Sequence, residues 1–353
     1  MSVVIPLYNL GRFVGEAIES VLAQTVVAED VETIVIDDGS TDGGDAVVRR
    51  YVPRVRYVRQ DNRGLPAARN AGLACAQGEF VTFLDADDRF LPEMLATQLD
   101  VFATRPDVGL VYTGFRFIDG GGRPLGTNGW SRDEGDVFRR LVLGNLIHPH
   151  LALVRREAAE RIGGFDERLG GAADWDFWLR LARAGVRWAC VDRALAEYRL
   201  RPDAMHVDAS RMLGDSLGVL EKLFADPSLP DSVRALRPLA YQRVHLDAAC
   251  AHYRAGRWSD AMACLRRAAE ARPAFLAEPA SIRLFCRWLL PPERRREATV
   301  AAERRRVMAV VRRALGELFA TPGLDPEIRR RRWGAHVAVW RTNARLVWKR
   351  LQP

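Results

Sequence analysis

Three carboxylates follow a short apolar segment, and their spacing suits metal and diphosphate chemistry. Residues 82–84 are predicted to end a strand, and Asp85, Asp87 and Asp88 lie in the turn that follows, residues 85–88, which we call the triple-Asp turn. Because alternate side chains of an extended backbone point the same way, Asp85 and Asp87 can serve one site, one binding a divalent cation and the other a hydroxyl. Such a cation typically keeps waters and binds a substrate diphosphate. Aspartate is also common in ordinary strand-end turns, so this segment alone leaves both interpretations open.

The elements that must position these carboxylates alternate at short intervals. Residues 3–7, 32–36, 55–59 and 80–84 are predicted strands, with helix-like stretches between them. The alternation predicts an α/β fold with a mostly parallel sheet covered by helices, and such folds bind ligands at the carboxyl ends of their strands. A second polar cluster, Asp37-Asp38-Gly39-Ser40, follows the strand at residues 32–36. We therefore expect both clusters at one edge of the sheet.

Two common classes of nucleotide-binding protein are disfavoured. A dehydrogenase-type dinucleotide site needs a G-x-G-x-x-G turn after the first strand, whereas this strand leads into Pro6-Leu7-Tyr8-Asn9. The G-x-x-x-x-G-K-[ST] phosphate loop is also missing, and the chain has only two lysines, Lys222 and Lys349. Nucleotide binding therefore has to rest on other motifs.

Five short motifs stand in series along residues 1–204. They are V-V-I-P-x-Y-N at residues 3–9, D-D-G-S-T-D at 37–42, A-R-N-x-G-L at 68–73, F-L-D-x-D-D at 83–88 and D-W-D-F-W-L at 174–179. In this order and spacing the chain resembles the family 2 glycosyltransferases. The resemblance implies the GT-A nucleotide-diphospho-sugar transferase fold, which is Rossmann-like, for a catalytic domain over residues 1–204, with a helical region at 205–353.

The resemblance also implies how the donor is held. Asp38 would accept a hydrogen bond from the base of the nucleotide, with the backbone around Pro6 and Tyr8 beside it. Asp85 would face the ribose or the donor sugar. Arg69, in the A-R-N segment, would help to hold the nucleotide, although an arginine at a helix start is as often a solvated surface residue.

A divalent cation, Mn²⁺ or Mg²⁺, is implied at Asp87, while Asp88 would support the turn. Residues 197–201, Glu-Tyr-Arg-Leu-Arg, resemble a Y-R-x-H stretch of the family that closes over the donor, although Arg201 stands where histidine is usual. Arg199 would then bind the diphosphate, because its guanidinium is planar and always charged. The pair His148 and His150 could add a metal ligand, but a lone pair of this kind is more often structural.

Asp174 is the expected catalytic base. Family members usually have Glu-Asp before this helix, whereas this chain has Ala173-Asp174, so the aspartate is kept and the glutamate is absent. The alternative is that Asp174 only caps the helix as its N-cap residue. The implied reaction is an inverting displacement that moves a sugar from a nucleotide diphosphate to a hydroxyl of a glycan or lipid-linked glycan, in the synthesis of cell-surface polysaccharide. A catalytically inactive relative that acts as a structural or binding partner is the alternative function.

The positive charge of the chain is confined to its second part. Residues 1–204 carry a net charge of −5 and residues 205–353 a net charge of +13, which gives the overall +8. The second part has a helical composition, with one tetratricopeptide-like hairpin at about 245–275 or, alternatively, an ordinary helical hairpin. No nucleic-acid-binding motif accompanies the basic charge, so we expect no nucleic-acid partner.

The last predicted helix, at about 327–350, places Trp333, Trp340 and Trp348 among arginines. It could lie on an anionic membrane surface or cover a protein core with its tryptophan face. No apolar run approaches the length of a membrane span, and no signal sequence precedes the first strand. We therefore expect a cytoplasmic protein, at the inner face of the cell membrane if this helix binds lipid.

Overall fold

The computed structural model describes residues 1–26, 30–127, 130–204 and 208–272, together with residues 313, 316 and 317. The chain divides into two compact units, Met1–Met205 and His206–Pro353. The helix predicted at about 327–350 lies outside the described residues.

Strands and helices alternate through the first third of the chain, as the sequence predicts. In chain order the elements are β1 (Ser2–Leu7), α1 (Gly11–Leu22), β2 (Glu32–Asp37), α2 (Gly44–Arg49), β3 (Val55–Arg59), α3 (Leu65–Cys75), β4 (Phe80–Phe83), β5 (Arg89–Phe90) and α4 (Met94–Thr104). All six residues of β1 are buried, which explains its nearly continuous apolar sequence.

The rest of the first unit extends the sheet and adds the helix that carries Asp174. The elements are β6 (Val108–Ile118), β7 (Pro124–Thr127), α5 (Phe138–Leu141), β8 (Ala152–Arg155), α6 (Arg156–Arg161), α7 (Ala173–Arg183) and β9 (Arg187–Arg199). A short 3-10 turn, Pro149–Leu151, leads into β8. The long strands β6 and β9 pair in parallel with several register shifts, so this half of the sheet is irregular.

The sheet has the strand order β3-β2-β1-β4-β8-β6-β9-β5, with β7 paired to β6. Strands β1 to β4 are parallel to their neighbours in this group. Strand β8 runs antiparallel to both β4 and β6, which lie on either side of it. The expected α/β fold is confirmed. The sheet is mixed, because β5 and β7 also pair antiparallel with their neighbours β9 and β6.

The parallel strands bring the polar clusters to one edge of the sheet, as predicted. Beyond the ends of β1 and β2, the Asn9 backbone amide donates to Ser40 Oγ (3.1 Å) and Asn9 Oδ1 accepts from the Thr41 amide (2.8 Å). Asn9 has φ 52°, a left-handed conformation that asparagine tolerates better than most residues. The triple-Asp turn follows β4, which pairs directly with β1.

Helix α3 connects this edge to the segment that precedes α7. Asn70 accepts a hydrogen bond from the Phe165 amide through Oδ1 (2.7 Å) and donates to the Phe165 carbonyl through Nδ2 (2.9 Å). The preceding Gly163 and Gly164 both have positive φ, 79° and 67°. Asn70 therefore holds a tight glycine turn in place, and Arg69, its neighbour on α3, enters the site described below.

The described part of the second unit is helical, as expected from its composition. Its helices are α8 (Ala209–Phe224), α9 (Asp231–Arg234), α10 (Arg237–Arg254) and α11 (Trp258–Ala271). Helices α10 and α11 pack together across a short turn at Gly256, whose φ is 75°. They occupy the place of the predicted hairpin, whose tetratricopeptide-like character stays a prediction. Within the described residues no helix combines the length and apolar character needed to cross a membrane.

The Gly163-Gly164 turn allows a test of the link between α3 and α7. A Cβ on Gly164 would lie 2.5 Å from Asn70 Oδ1, whereas a Cβ on Gly163 would meet nothing within 4 Å. We expect Gly163→Ala to cost about 1–2 kcal/mol for its left-handed backbone alone. Gly164→Ala should cost roughly 1–3 kcal/mol more, because Asn70 cannot move without losing its hydrogen bonds. Urea unfolding of both variants measures the difference, and equal losses would show that Asn70 yields freely.

Candidate active site

Asp38 lies buried at the end of β2 and holds the loop that follows β3. Its Oδ1 accepts from Gln60 Nε2 (2.7 Å) and from the Arg63 amide (2.9 Å), and its Oδ2 accepts from the Gly64 amide (2.8 Å). Since a carboxylate has about four acceptor positions, Oδ2 keeps capacity for one more donor. The predicted bond to a nucleotide base stays a prediction that this geometry allows.

The residues predicted beside the base differ in exposure. Pro6 is buried in β1, where it pairs with Ile36, and Tyr8 directly after the strand is half exposed. An exposed tyrosine ring offers an apolar face on which a planar base can stack. Pro6 lies in the strand that positions Tyr8, and of the two side chains only that of Tyr8 is open to a ligand.

Arg69 and Asp85 form a close ion pair at the end of β4. Arg69 Nη2 lies 2.6 Å from Asp85 Oδ1, and the guanidinium lies over the Phe165 ring, 5.5 Å from its centroid. Arg69 is buried, so the alternative of a solvated surface arginine is wrong. Its buried Nε has no hydrogen-bond partner among the described residues. An unpaired donor of this kind favours a ligand contact, because leaving it unpaired is costly.

Asp87 and Asp88 are compensated in different ways. Asp87 Oδ2 accepts from Arg201 Nε (2.7 Å). Asp88 is fully buried, accepts from the Arg199 amide (2.8 Å) and lies 3.0 Å from His150 Nδ1. Burial first, and then the charges of the neighbouring aspartates, raises the pKa of both carboxyls, that of Asp88 well above its ordinary value. Ionising all three carboxyls of the triple-Asp turn is therefore costly, and a bound cation would offset that cost.

Three side chains at this turn could hold a metal ion. Ligand atoms of Asp85, Asp88 and His150 all lie within 4.8 Å of one another. Burial lowers the pKa of His150 to about 3, so its imidazole is neutral, the form that binds metals. Neither ring nitrogen of His150 has a well-aligned hydrogen bond within the described residues, although Nδ1 is near Asp88. Two carboxylates and a neutral imidazole are a suitable donor set for Mn²⁺.

This grouping differs from the one the sequence suggests. Asp87, the predicted metal ligand, forms an ion pair with Arg201. The group of side chains that could hold a metal ion consists of Asp85, Asp88 and His150 instead. His148, the other histidine of the pair, stacks on His150 with ring centroids 5.8 Å apart. Burial lowers its pKa as well, so it is also neutral. The role of Asp87 as a metal ligand stays a prediction that requires Arg201 to leave it.

Arg199 is enclosed by protein acceptors. Its Nε donates to the Asp87 carbonyl (2.7 Å), Nη2 pairs with Glu16 (2.7 Å) and Nη1 donates to the Gly120 carbonyl (3.2 Å). The side chain is fully buried and joins β9 to α1 and to the triple-Asp turn. The contact of Arg199 with the donor stays a prediction. In the described structure Arg199 links neighbouring elements of the protein.

Asp174 lies in the first turn of α7 and is buried. Its Oδ2 accepts from Asn145 Nδ2 (2.9 Å) and its Oδ1 from the Trp175 amide (2.7 Å). The N-cap position belongs to Ala172, so the alternative that Asp174 is the N-cap residue is wrong. Burial raises the pKa of Asp174 to about 6, although Arg69 and the two donors offset part of the effect. A carboxylate tuned in this way is suited to accept a proton near neutral pH.

Two partners of the site aspartates lie far from them in the sequence. Asn145 stands 29 residues before Asp174, and Arg201 stands 114 residues after Asp87. No local pattern marks either pair, since their contacts arise from the arrangement of the sheet. The arginine at residue 201, where the resemblance leads one to expect histidine, was the only available signal.

The fold resembles that of solved glycosyltransferases. TarS of S. aureus, in a crystal structure with UDP, shares 17% identity at a TM-score of 0.57, over 99% of this chain and 91% of that one. The mannosyltransferase PcManGT from Pyrobaculum calidifontis, in complex with GDP-Man and Mn²⁺, shares 23% identity at a TM-score of 0.54, over 90% and 87%. The fold is therefore the GT-A fold.

Sequence comparisons refine this class. Residues 2–163 match the family model for glycosyl transferase family 2. An uncharacterized glycosyltransferase of Rickettsia typhi is 31% identical over 189 residues, 52% of this chain and 58% of that protein. Chondroitin synthase of Escherichia coli is 31% identical over 203 residues, 55% of this chain and 29% of that protein. The matches thus cover less than two thirds of these relatives, and they identify residues 2–163 as a family 2 glycosyl transferase domain.

The raised pKa of Asp174 predicts a stability effect with a definite sign. Because its folded pKa, about 6, exceeds the ordinary value of 3.8, ionisation costs folding free energy as pH rises through this interval. Asp174→Asn removes this cost and should stabilise the protein by roughly 1–3 kcal/mol at pH 8, with little effect at pH 4. Urea unfolding at both pH values measures the change.

Asp176→Asn is the matched control, because Asp176 lies on the same helix but forms an ion pair with Arg180 (2.7 Å). This variant should destabilise the protein at pH 8, since it leaves a guanidinium without its carboxylate. If Asp174→Asn were also destabilising at pH 8, the carboxylate would be compensated better than its burial indicates.

Proposed function

We propose that this domain is an inverting glycosyltransferase that moves a sugar from a nucleotide diphosphate to a hydroxyl of a glycan or lipid-linked glycan. The observation that carries the proposal is that a carboxylate suited to act as a base lies near the residues of the predicted donor site. A buried carboxylate with a pKa near 6, Asp174, stands within electrostatic reach of Arg69 and Asp85, which belong to the predicted donor site. The names of two relatives, chondroitin synthase and hyaluronan synthase, support a role in polysaccharide synthesis.

The donor would lie across the carboxyl ends of β1, β2 and β4. Tyr8 offers its exposed ring to the base, and Asp38 has acceptor capacity left on Oδ2. Asp85, about a quarter exposed and paired with Arg69, is placed to accept from a ribose or sugar hydroxyl. The unpaired Nε of Arg69 would find its acceptor on the same ligand.

Asp174 would act on the acceptor. Its ionised carboxylate takes the proton of the attacking hydroxyl as the new bond to the anomeric carbon forms and the bond to the diphosphate oxygen breaks. The Asn145 amide holds the carboxylate in position and stabilises its ionised form. A positioned base typically contributes about 10² to 10⁴ in rate. No covalent enzyme intermediate is required by this chemistry.

A divalent cation, Mn²⁺ or Mg²⁺, fits the residues of the triple-Asp turn. Asp85, Asp88 and His150 would hold it, with Asp87 as a further ligand, and it would neutralise charge on the leaving diphosphate. The solved mannosyltransferase named above holds Mn²⁺ together with GDP-Man. Metal dependence is therefore part of the proposal.

The predicted membrane contact depends on residues 327–350, which lie outside the described structure. A lipid-linked acceptor would make binding at the inner face of the cell membrane useful. The net charge of +13 in residues 205–353 would favour an anionic surface. We therefore propose a cytoplasmic location, with contact between residues 327–350 and the inner face of the cell membrane.

The direct test is release of nucleoside diphosphate from UDP-, GDP- and dTDP-sugars with Mn²⁺ or Mg²⁺ and a panel of glycan acceptors. We expect acceptor-stimulated release by the wild-type protein and a loss of about 10²-fold or more in Asp174→Asn. Donor binding without turnover in any acceptor mixture would favour the inactive relative. No binding of any donor would contradict the assignment of Asp38 and Asp85.

The pH dependence of kcat/KM gives a second test. Because Asp174 must be ionised to accept a proton, activity should rise with pH and level off above a midpoint near pH 6. Asn145→Ala removes a donor to the ionised carboxylate, so it should move the midpoint upward by about one pH unit. A midpoint that is unchanged in this variant would show that another group controls the profile.

A further inference from the structure

We propose that Arg201 is an exchangeable counter-ion. In the donor-free protein it neutralises Asp87, and when a donor and a divalent cation bind, it transfers its ion pair to the diphosphate and leaves Asp87 to the cation. The inference rests on the proposed function, because it assumes a diphosphate donor. It adds a diphosphate-binding residue and predicts that nucleotide and metal bind cooperatively.

The first observation is that Asp87 is already paired. Arg201 Nε lies 2.7 Å from Asp87 Oδ2, and both side chains are largely buried. A divalent cation therefore cannot use this oxygen without displacing the guanidinium. The two positive charges would otherwise share one carboxylate in a partly desolvated place, where like charges repel strongly.

The second observation is the contrast with Arg199, two residues earlier. All three nitrogens of Arg199 donate to protein acceptors, and its side chain is fully buried. Arg201 uses Nε for Asp87 and Nη1 for Asp203 (2.9 Å), and its guanidinium lies 5.5 Å from the centroid of the Phe13 ring. Among the described residues its Nη2 makes no hydrogen bond. Arg199 is fixed by its surroundings, and Arg201 has a donor available to a ligand.

The third observation is that the other partner of Arg201 is easily given up. The Asp203 side chain is 61% exposed and also pairs with Arg12 (3.3 Å), which is itself exposed. Exposed ion pairs contribute little stability, so water can replace Arg201 at Asp203 at low cost. A diphosphate offers two or more anionic oxygens in the bidentate geometry that a guanidinium matches well.

These observations predict opposite effects of Arg201 on two binding steps. Without nucleotide, Arg201 competes with the cation for Asp87 and weakens metal binding. With nucleotide, Arg201 has a new partner on the diphosphate and strengthens nucleotide binding. Because such coupling is reciprocal, each ligand should tighten the binding of the other through this residue.

The experiment uses the full chain and Arg201→Gln, which removes the charge and keeps a polar side chain. Arg12→Gln is the matched control, because Arg12 shares Asp203 and does not contact Asp87. Mn²⁺ binding without nucleotide is measured by electron paramagnetic resonance, and binding of UDP, GDP and dTDP at saturating Mn²⁺ by calorimetry. We expect Arg201→Gln to bind Mn²⁺ at least about threefold tighter and the preferred nucleotide about tenfold weaker, with changes under about twofold in Arg12→Gln.

Weaker or unchanged Mn²⁺ binding in Arg201→Gln would overturn the exchange, and unchanged nucleotide binding would overturn the contact with the diphosphate. If Arg201→Gln does not fold, Arg201→Lys takes its place. It keeps the charge, so Mn²⁺ binding should stay within about twofold of wild type while nucleotide binding weakens because the bidentate fork is lost. A wild-type protein that binds none of UDP, GDP and dTDP would instead refute the proposed donor class, and this inference with it.

Discussion

The site depends on keeping four aspartates close together where water is scarce. Burial raises the pKa of Asp87, Asp88 and Asp174, and for all three the charge of Asp85 adds to the effect. Every one of the four has a compensating partner within the first unit. Asp85 has Arg69, Asp87 has Arg201, Asp88 has the Arg199 amide, and Asp174 has Asn145. The partners come from three different parts of the chain, around residues 69, 145 and 199–201. The packing of the fold therefore brings the compensating groups to the aspartates.

Helix α3 positions two of the residues that hold the site together. Gly72 lies so close to β1 that a Cβ there would overlap Val4, and this close approach brings α3 onto the sheet. From there Arg69 reaches Asp85 and Asn70 holds Phe165. The distance between the proposed donor residues and α7, which carries the proposed base, is thus set by one rigid element. The proposed reaction needs donor and acceptor held in line, and a rigid link of this kind would serve that alignment.

Much of the first unit could be predicted from sequence because its signals are local. The predicted strands at residues 32–36 and 55–59 coincide with β2 and β3 almost residue for residue, and the polar clusters follow the ends of parallel strands as expected. The antiparallel placement of β8 could not be predicted, since it depends on which strand it joins after a long connection. The same holds for the site. The aspartates were found through their motifs, whereas Asn145 and Arg201 meet them only through contacts distant in sequence.

The most direct test of the central claim is a crystal structure of the protein with UDP or GDP and Mn²⁺. We expect the diphosphate between Tyr8 and the triple-Asp turn, an anomalous peak for Mn²⁺ about 2.0–2.5 Å from oxygens of that turn, and Arg201 on the diphosphate. Asp174 should face the open side of the donor site. A nucleotide bound away from the carboxyl ends of β1 and β4, or bound there with Asp87 still paired to Arg201 and no Mn²⁺ at the turn, would contradict it.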